Sequence, residues 1–243
     1  MIQPKMKIEV WTDIMCPYCY IGKKLYEKAL QQFAHAGEVE VEWKAFLLNP
    51  DLPGDGHGYP VTDYLLNTVG MSEERLEDMF RNIDLLAADA GVKSNLRNAI
   101  AANTTDAHRL IKLASTIGKA DFVITKLGKS YFEDAQDYSD HNLLIGIGTE
   151  AGLEEEQISA MLAGDDYRYE IIQDIQEANN LGFDTVPTFL MDRRQAIVGS
   201  EPVDLYVKVL NKAYNNWKAR TDKEPEMEVT KGKACAADGT CEI

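Results

Sequence analysis

The chain reads as an α/β protein in which two halves of a small sheet are separated by a long helical block. Three observations lead there. Alternating, strand-like segments occur near the start (7–11 and 38–48) and again near the end (188–192 and 196–200). From the end of a Gly- and Pro-rich loop to about residue 180, apolar residues recur at helical spacing instead. The first strand also runs into a helix whose mouth carries two cysteines three positions apart, in "MCPYCYIGKKLYEKAL" (15–30).

In order, "KIEVW" (7–11) alternates with Ile8 and Val10 on one face and is expected to be a strand. After the turn "TDIM", Ile21, Leu25, Ala29 and Leu30 keep helical spacing to about Phe33. "EVEVEWKAFLL" (38–48) alternates again, with Val39, Val41 and Trp43 to one side. "NPDLPGDGHGYP" (49–60) is dense in Gly, Pro and Asp and is expected to be a loop. Helical stripes follow over 72–91, 104–118, 120–134 and 139–152, then in "LEEEQISAML" and "DDYRYEIIQDIQEANNLGF". "TFLMD" (188–192) and "AIVGS" (196–200), joined through "RRQ", predict a hairpin. A last helix follows Ser200 as N-cap, with Pro202 tolerated in its first turn. From about Thr221 the chain becomes polar and small, which predicts a mobile tail. There is no internal repeat.

Composition narrows the function. The 243 residues are 45% hydrophobic and 27% charged, the balance of a globular protein. A formal net charge of −15 repels phosphate backbones, so nucleic acid is not an expected partner. No run approaches the ~18 apolar residues that span a bilayer, so no membrane association is expected either. The N-terminus lacks the apolar core and cleavage site of a secretory signal, which predicts a cytoplasmic protein. Nothing in the sequence sets an oligomeric state.

The four cysteines, Cys16, Cys19, Cys235 and Cys241, stand in a large chain read as cytoplasmic, where cysteine pairs point to redox or metal chemistry rather than to a disulfide framework. A thiolate, not a thiol, attacks a disulfide, and a helix N-terminus favours negative charge through its unpaired N–H groups and macrodipole. Cys16 stands at such a terminus, before Pro17 at the first helical position. Cys19 lies one turn further in. The expected arrangement is an exposed nucleophile, Cys16, and a sheltered resolving thiol, Cys19. A zinc site completed by Cys235 and Cys241 is the competing reading. More than 200 residues separate the pairs, and Pro17 with a helix behind it makes poor knuckle geometry.

Far away in sequence, "DTVPTFLMD" places Pro187 directly before a strand. Proline removes a ladder donor, so its presence there needs a reason. A cis Val186–Pro187 bond leaves the Val186 backbone free to pair with an extended substrate.

"TDIMCPYCYIGKK", "FLLNPDLP", "NTTDAHRLIKLA", "GFDTVPTFLMD" and "CAADGTC" together resemble the thioredoxin superfamily, in particular its DsbA-like branch and the FrnE-type group within it. The resemblance runs from about residue 6 to the end. It implies a thioredoxin fold made from 1–60 and 165–220, an inserted helical domain over 61–164, and a C-terminal tail, 221–243, carrying a Cys pair. It also implies a thiol–disulfide oxidoreductase, with possible isomerase activity, acting on protein or small-molecule disulfides. Cys16 is then the nucleophile, Cys19 the resolving thiol and Pro187 the cis-proline. Pro17 and Tyr18 line the nucleophile and tune its reduction potential, which in such proteins spans roughly −270 to −120 mV. No bound cofactor is implied, with glutathione or another thiol as the reductant. The related 2-hydroxychromene-2-carboxylate isomerases typically carry Ser at the nucleophile position, unlike Cys16. A redox-sensing holdase is the alternative outside catalysis.

Other residues carry less. Cys235 and Cys241 enclose "AADGT" and suit an auxiliary redox pair that exchanges with Cys16–Cys19. His108 sits among apolar neighbours on a helix, where a histidine is ordinarily packed; within the resemblance Asn103, His108 and Arg109 face the cleft and contact substrate. Asp13 is expected to cap the turn before Cys16.

Overall fold

The computed structural model describes residues 4–54 and 56–221. Strands β1 (Met6–Thr12) and β2 (Val39–Ala45) run parallel, joined by helix α1 (Pro17–Gln32). Further along the chain come a two-residue strand β3 (Tyr59–Pro60), the short α2 (Val61–Asp63), α3 (Glu73–Ala90), a second two-residue strand β4 (Ile100–Ala101), α4 (Thr105–Ser115), α5 (Ala120–Phe132), α6 (His141–Ala151), α7 (Glu155–Ala163) and α8 (Arg168–Leu181). The hairpin β5 (Thr188–Met191) and β6 (Gln195–Val198) and the final helix α9 (Val203–Thr221) complete the described chain. The main sheet has the order β2-β1-β5-β6, so the two ends of the chain meet at the β1–β5 antiparallel pair.

The alternation of β1 decides what lies on each face. Ile8 and Val10, opposite Val41 and Trp43 on β2, enter the main core. Tyr26 of α1, Phe189 of β5 and Tyr206 of α9 stack there with ring centroids 5.1–5.9 Å apart. Trp11 faces the other way, into a smaller cluster with Ala178 of α8, Val186, Leu190 and both site cysteines. Its indole N–H donates to Asp174 O at 2.9 Å. Glu9, a charge on a central strand, is fully buried and answered by Arg193 from the β5–β6 turn. The sheet is thus covered on both sides, and the main core runs on without a break into the inserted helices through Phe80, Leu110 and Leu127.

The helix boundaries follow local chemistry. Ser72 Oγ caps α3 by accepting the Arg75 N–H, and Gly91 ends it in the left-handed region at φ 75°. At α9 the expected cap does not form. Ser200 Oγ is buried with no hydrogen-bond partner among the described residues, and the Leu205 and Tyr206 N–H groups donate to Pro202 O instead. The second strand also stops at Ala45, short of residue 48: Phe46 N–H makes the last ladder bond, to Thr12 O, and the Leu48 N–H is captured by the Asp13 carboxylate. The loop expected over 49–60 ends in strand: Tyr59 and Pro60 pair with Ala101 and Ile100. The tail and its cysteines, Cys235 and Cys241, lie outside the described residues.

Candidate active site

Cys16 is the N-cap of α1, in extended conformation (φ −84°, ψ 113°), with Pro17 at the first helical position. It therefore sits on the positive end of a 16-residue helix. The Cys16 N–H donates to Asp13 O at 3.2 Å and the Cys19 N–H to Cys16 O at 3.0 Å, a tight turn that stacks the two cysteines on one side. Neither is in a disulfide.

The Val186–Pro187 bond is cis, and it sets the Val186 carbonyl 3.7 Å from Cys16 Sγ. Gly199 N–H holds the Pro187 carbonyl at 2.7 Å, and Thr188 Oγ1 donates to Thr185 O at 2.6 Å. The segment is thus anchored on both sides of Val186. Pro17 and Tyr18 are half-buried and form the mouth of the site beside Cys16.

The expected contrast between an exposed Cys16 and a sheltered Cys19 is not found. Cys16 is 6% and Cys19 5% exposed, because Val186 and Trp11 close over the nucleophile side as well. Burial pushes the Cys19 thiol well above its ordinary range, and Cys16 beside it adds to the rise; hydrogen bonds from Thr12 and the Asp13 N–H oppose it. The Tyr18 hydroxyl is raised for a related reason, burial together with the charge of Cys16.

Asp13 organises the floor of the site. Its carboxylate, 1% exposed, accepts the Leu48 N–H at 2.7 Å and the Met15 N–H at 3.4 Å. It thereby caps the turn, as the sequence suggested, and also ties that turn to the end of β2. His108 of α4 brings Nε2 to 3.5 Å from Asp13 Oδ1. That is an ion-pair distance without hydrogen-bond alignment, and Nε2 is buried with no hydrogen-bond partner among the described residues. Asn103 and Arg109, expected near the cleft, are committed elsewhere. Asn103 Nδ2 donates to Pro50 O at 2.6 Å. The buried Arg109 guanidinium binds the carbonyls of Met161, Gly164 and Asp166 and the Asp106 carboxylate.

Thr12 and Tyr131 were not singled out from the sequence. Tyr131 is buried, and its hydroxyl is raised by burial, with the charges of Cys16 and Asp13 adding to the effect. No motif marks it, since α5 is more than 100 residues away in sequence. Thr12, four residues before Cys16, was legible only as the last strand residue. Among the described residues no group of three His, Cys, Asp or Glu side chains is placed to hold a metal ion. No described helix is long and apolar enough to cross a membrane.

A buried pair of cysteines at a helix N-terminus, set against a cis-proline on the neighbouring strand of a β2-β1-β5-β6 sheet, defines the class of protein: a thioredoxin-fold redox enzyme with a helical insertion. Residues 7–211 match the DsbA-like thioredoxin domain family, and the chain belongs to that family. It is similar to a probable DsbA oxidoreductase of Streptomyces coelicolor, at 31% identity and TM-score 0.82, over 98% of this chain and 99% of that one. An uncharacterised protein of Bacillus subtilis, YwbO, is 26% identical over 84% of this chain and 95% of its own length. The cytosolic disulfide reductase DsbM of Pseudomonas aeruginosa, solved with glutathione, shares the fold at TM-score 0.57 and 14% identity, over 89% of this chain and 99% of that one.

Proposed function

We propose that the protein is a thiol–disulfide oxidoreductase, with isomerase activity open to the same site, acting on protein or small-molecule disulfides. The observation that carries the reading is the placement of Cys16 Sγ, at the positive end of α1 and 3.7 Å from the Val186 carbonyl beside cis-Pro187. An extended substrate laid along Val186 would present its disulfide to Cys16. The Cys16 thiolate then attacks one substrate sulfur, forming a mixed disulfide and releasing the other sulfur as a thiolate. Cys19 loses its proton and attacks Cys16 Sγ, which closes the Cys16–Cys19 disulfide and frees the reduced substrate. Run backwards, the same steps oxidise a dithiol.

Pro17, Tyr18 and Val186 are the proposed substrate-facing residues, and His108 supports them from behind through Asp13. Glutathione or another thiol is the proposed reductant, and a cytoplasmic setting suits it; the glutathione-bound DsbM structure supports the idea at the level of the shared fold. Assignment to the FrnE-type group, and an auxiliary role for Cys235 and Cys241, rest on the sequence motifs. The 2-hydroxychromene-2-carboxylate isomerase fold is also similar (TM-score 0.65, 12% identity), but Cys16 and Cys19 favour disulfide exchange.

Turnover of a disulfide-linked peptide with glutathione tests the reading. Wild type should turn over, Cys16→Ser should not, and Cys19→Ser should accumulate a mixed disulfide on Cys16. Undiminished turnover by Cys16→Ser would overturn it.

A further inference from the structure

β2 is an edge of the main sheet, and among the described residues β1 is its one strand partner. In such a strand, successive residues turn their backbone groups alternately toward the neighbour and away from it. The Phe46 N–H reaches Thr12 O, so Glu42 and Lys44 also face β1, while Val41, Trp43 and Ala45 face outward. The Ala45 N–H bears out this phase, since Asp174 Oδ2 takes it at 2.8 Å. Asp174 thereby closes the C-terminal end of the edge. Before it, the N–H and C=O groups of Val41 and Trp43 have no strand to pair with among the described residues.

Beside this stretch the surface is hollow. A groove of about 730 Å³ runs along Glu40, Val41, Glu42 and Trp43, walled by Tyr26 and Leu30 of α1 and Ile111 of α4. It shares Glu42 and Lys112 with a second hollow of about 540 Å³ between β2 and α8, so the two form one trough along the edge. Exposed sheet edges are commonly blunted by a proline or a bulge, and β2 has neither.

We propose that the edge of β2 binds an extended, basic segment of an unfolded polypeptide as an added strand. Strand addition takes its affinity from the backbone and its selectivity from alternate side chains. Continuing the pleat of β2, one set of those side chains lies toward Tyr26, Leu30 and Ile111, which suits apolar residues. The other set lies toward Glu40 and Glu42, which suits Lys or Arg. Glu42 is shared by Lys7 and Lys44, but Glu40 is exposed and has no ion pair among the described residues. Two other occupants suit the charge less well. A second copy would lay an edge with the same glutamates against this one, and residues 222–243 hold six acidic against three basic side chains. Held at this edge, one stretch of a substrate chain leaves another free to reach Cys16. That use rests on the disulfide-exchange reading; the binding does not.

The probe is a fluorescein-labelled, cysteine-free peptide of about eight residues that alternates Lys and Val. Anisotropy with the full chain gives its Kd, and amide hydrogen exchange locates it. Wild type and Cys16→Ser should bind it equally, with slowed exchange at Val41 and Trp43. A Glu-Val peptide should bind about tenfold more weakly or worse, as should a Lys-Val peptide N-methylated at alternate residues. Glu40→Lys should weaken the Lys-Val peptide by about threefold to tenfold. The N-methylated peptide keeps its charge, so equal binding of it would mean unspecific attraction to a chain of net charge −15 and overturn the proposal. Val41 and Trp43 amides already protected without peptide would overturn it too. Protection at every dilution would then give the edge to residues 222–243, and protection lost on dilution to a second copy. Any of these outcomes leaves the turnover test of Cys16 standing.

Discussion

Replacing Asp13 with alanine removes the anchor that joins the turn before Cys16 to the end of β2. The carboxylate is 1% exposed and accepts the Leu48 N–H at 2.7 Å and the Met15 N–H at 3.4 Å. A hydrogen bond to a buried charged group contributes about 1.5–3 kcal/mol, and the long Met15 contact adds about 0.5 kcal/mol. The expected loss for Asp13→Ala is therefore about 2–4 kcal/mol. For a chain of this length each kcal/mol lowers the melting midpoint by about 2–4 °C, so the midpoint should fall by roughly 4–16 °C. Asp13→Asn keeps an uncharged acceptor for Leu48 and should lose about half as much. The Asp13 backbone N–H still reaches Cys19 in both variants, so the stability effect isolates the carboxylate. Thermal unfolding followed by circular dichroism, checked against urea unfolding, reads it. An Asp13→Ala midpoint within about 2 °C of wild type would refute the anchor.

Arg109→Met should cost about 3–5 kcal/mol, because it strips three carbonyls and Asp106 of a fully buried cation; Arg109→Lys, with one point charge, should recover only part of it in the same unfolding assay. Gly128→Ala should cost about 1–3 kcal/mol, since a Cβ there would overlap the Tyr20 ring, which a 2.6 Å bond to Glu133 holds in place. The raised Cys19 thiol gives a pH test whose sign is set by linkage. The folded reduced protein holds this proton above the pH at which the unfolded chain releases it, so stability falls as pH rises past the ordinary thiol range, by at most about 1.4 kcal/mol per unit. Urea unfolding of reduced protein between about pH 8.5 and 10 should show a steeper fall in wild type than in Cys19→Ser; equal slopes would contradict the assignment.

Much of the site could be read in the sequence because its parts are local. Cys16, Pro17 and Cys19 lie on one helix turn, and the alternation of residues 7–11 puts that turn at the end of a strand. Pro187 before β5 was legible because a proline is out of place where a sheet begins, and its cis bond follows the expectation. What the sequence hid depends on distant parts meeting. Asp13 and His108 stand 95 positions apart and are brought together only by the packing of α4. Arg109 was placed at the cleft by the family resemblance alone; here its partners are the Asp106 carboxylate and backbone carbonyls of α7 and the segment leading to α8. Ser200 looked like a cap because serine before a helix usually is one, but Pro202 moved the helix start to Val203 and left the hydroxyl buried. Burial of Cys16 was missed for the same reason: Val186 covers it from 170 residues away.

The most direct test of the central claim is an equilibrium titration of the full chain in glutathione buffers, with thiols trapped by acid and alkylation and the Cys16–Cys19 peptide weighed. The account predicts one two-electron transition that converts two alkylated thiols into an internal disulfide on that peptide, lost in Cys16→Ser and in Cys19→Ser. If Cys16 and Cys19 stay alkylated as separate thiols at every poise, the pair is not a redox centre and the account fails.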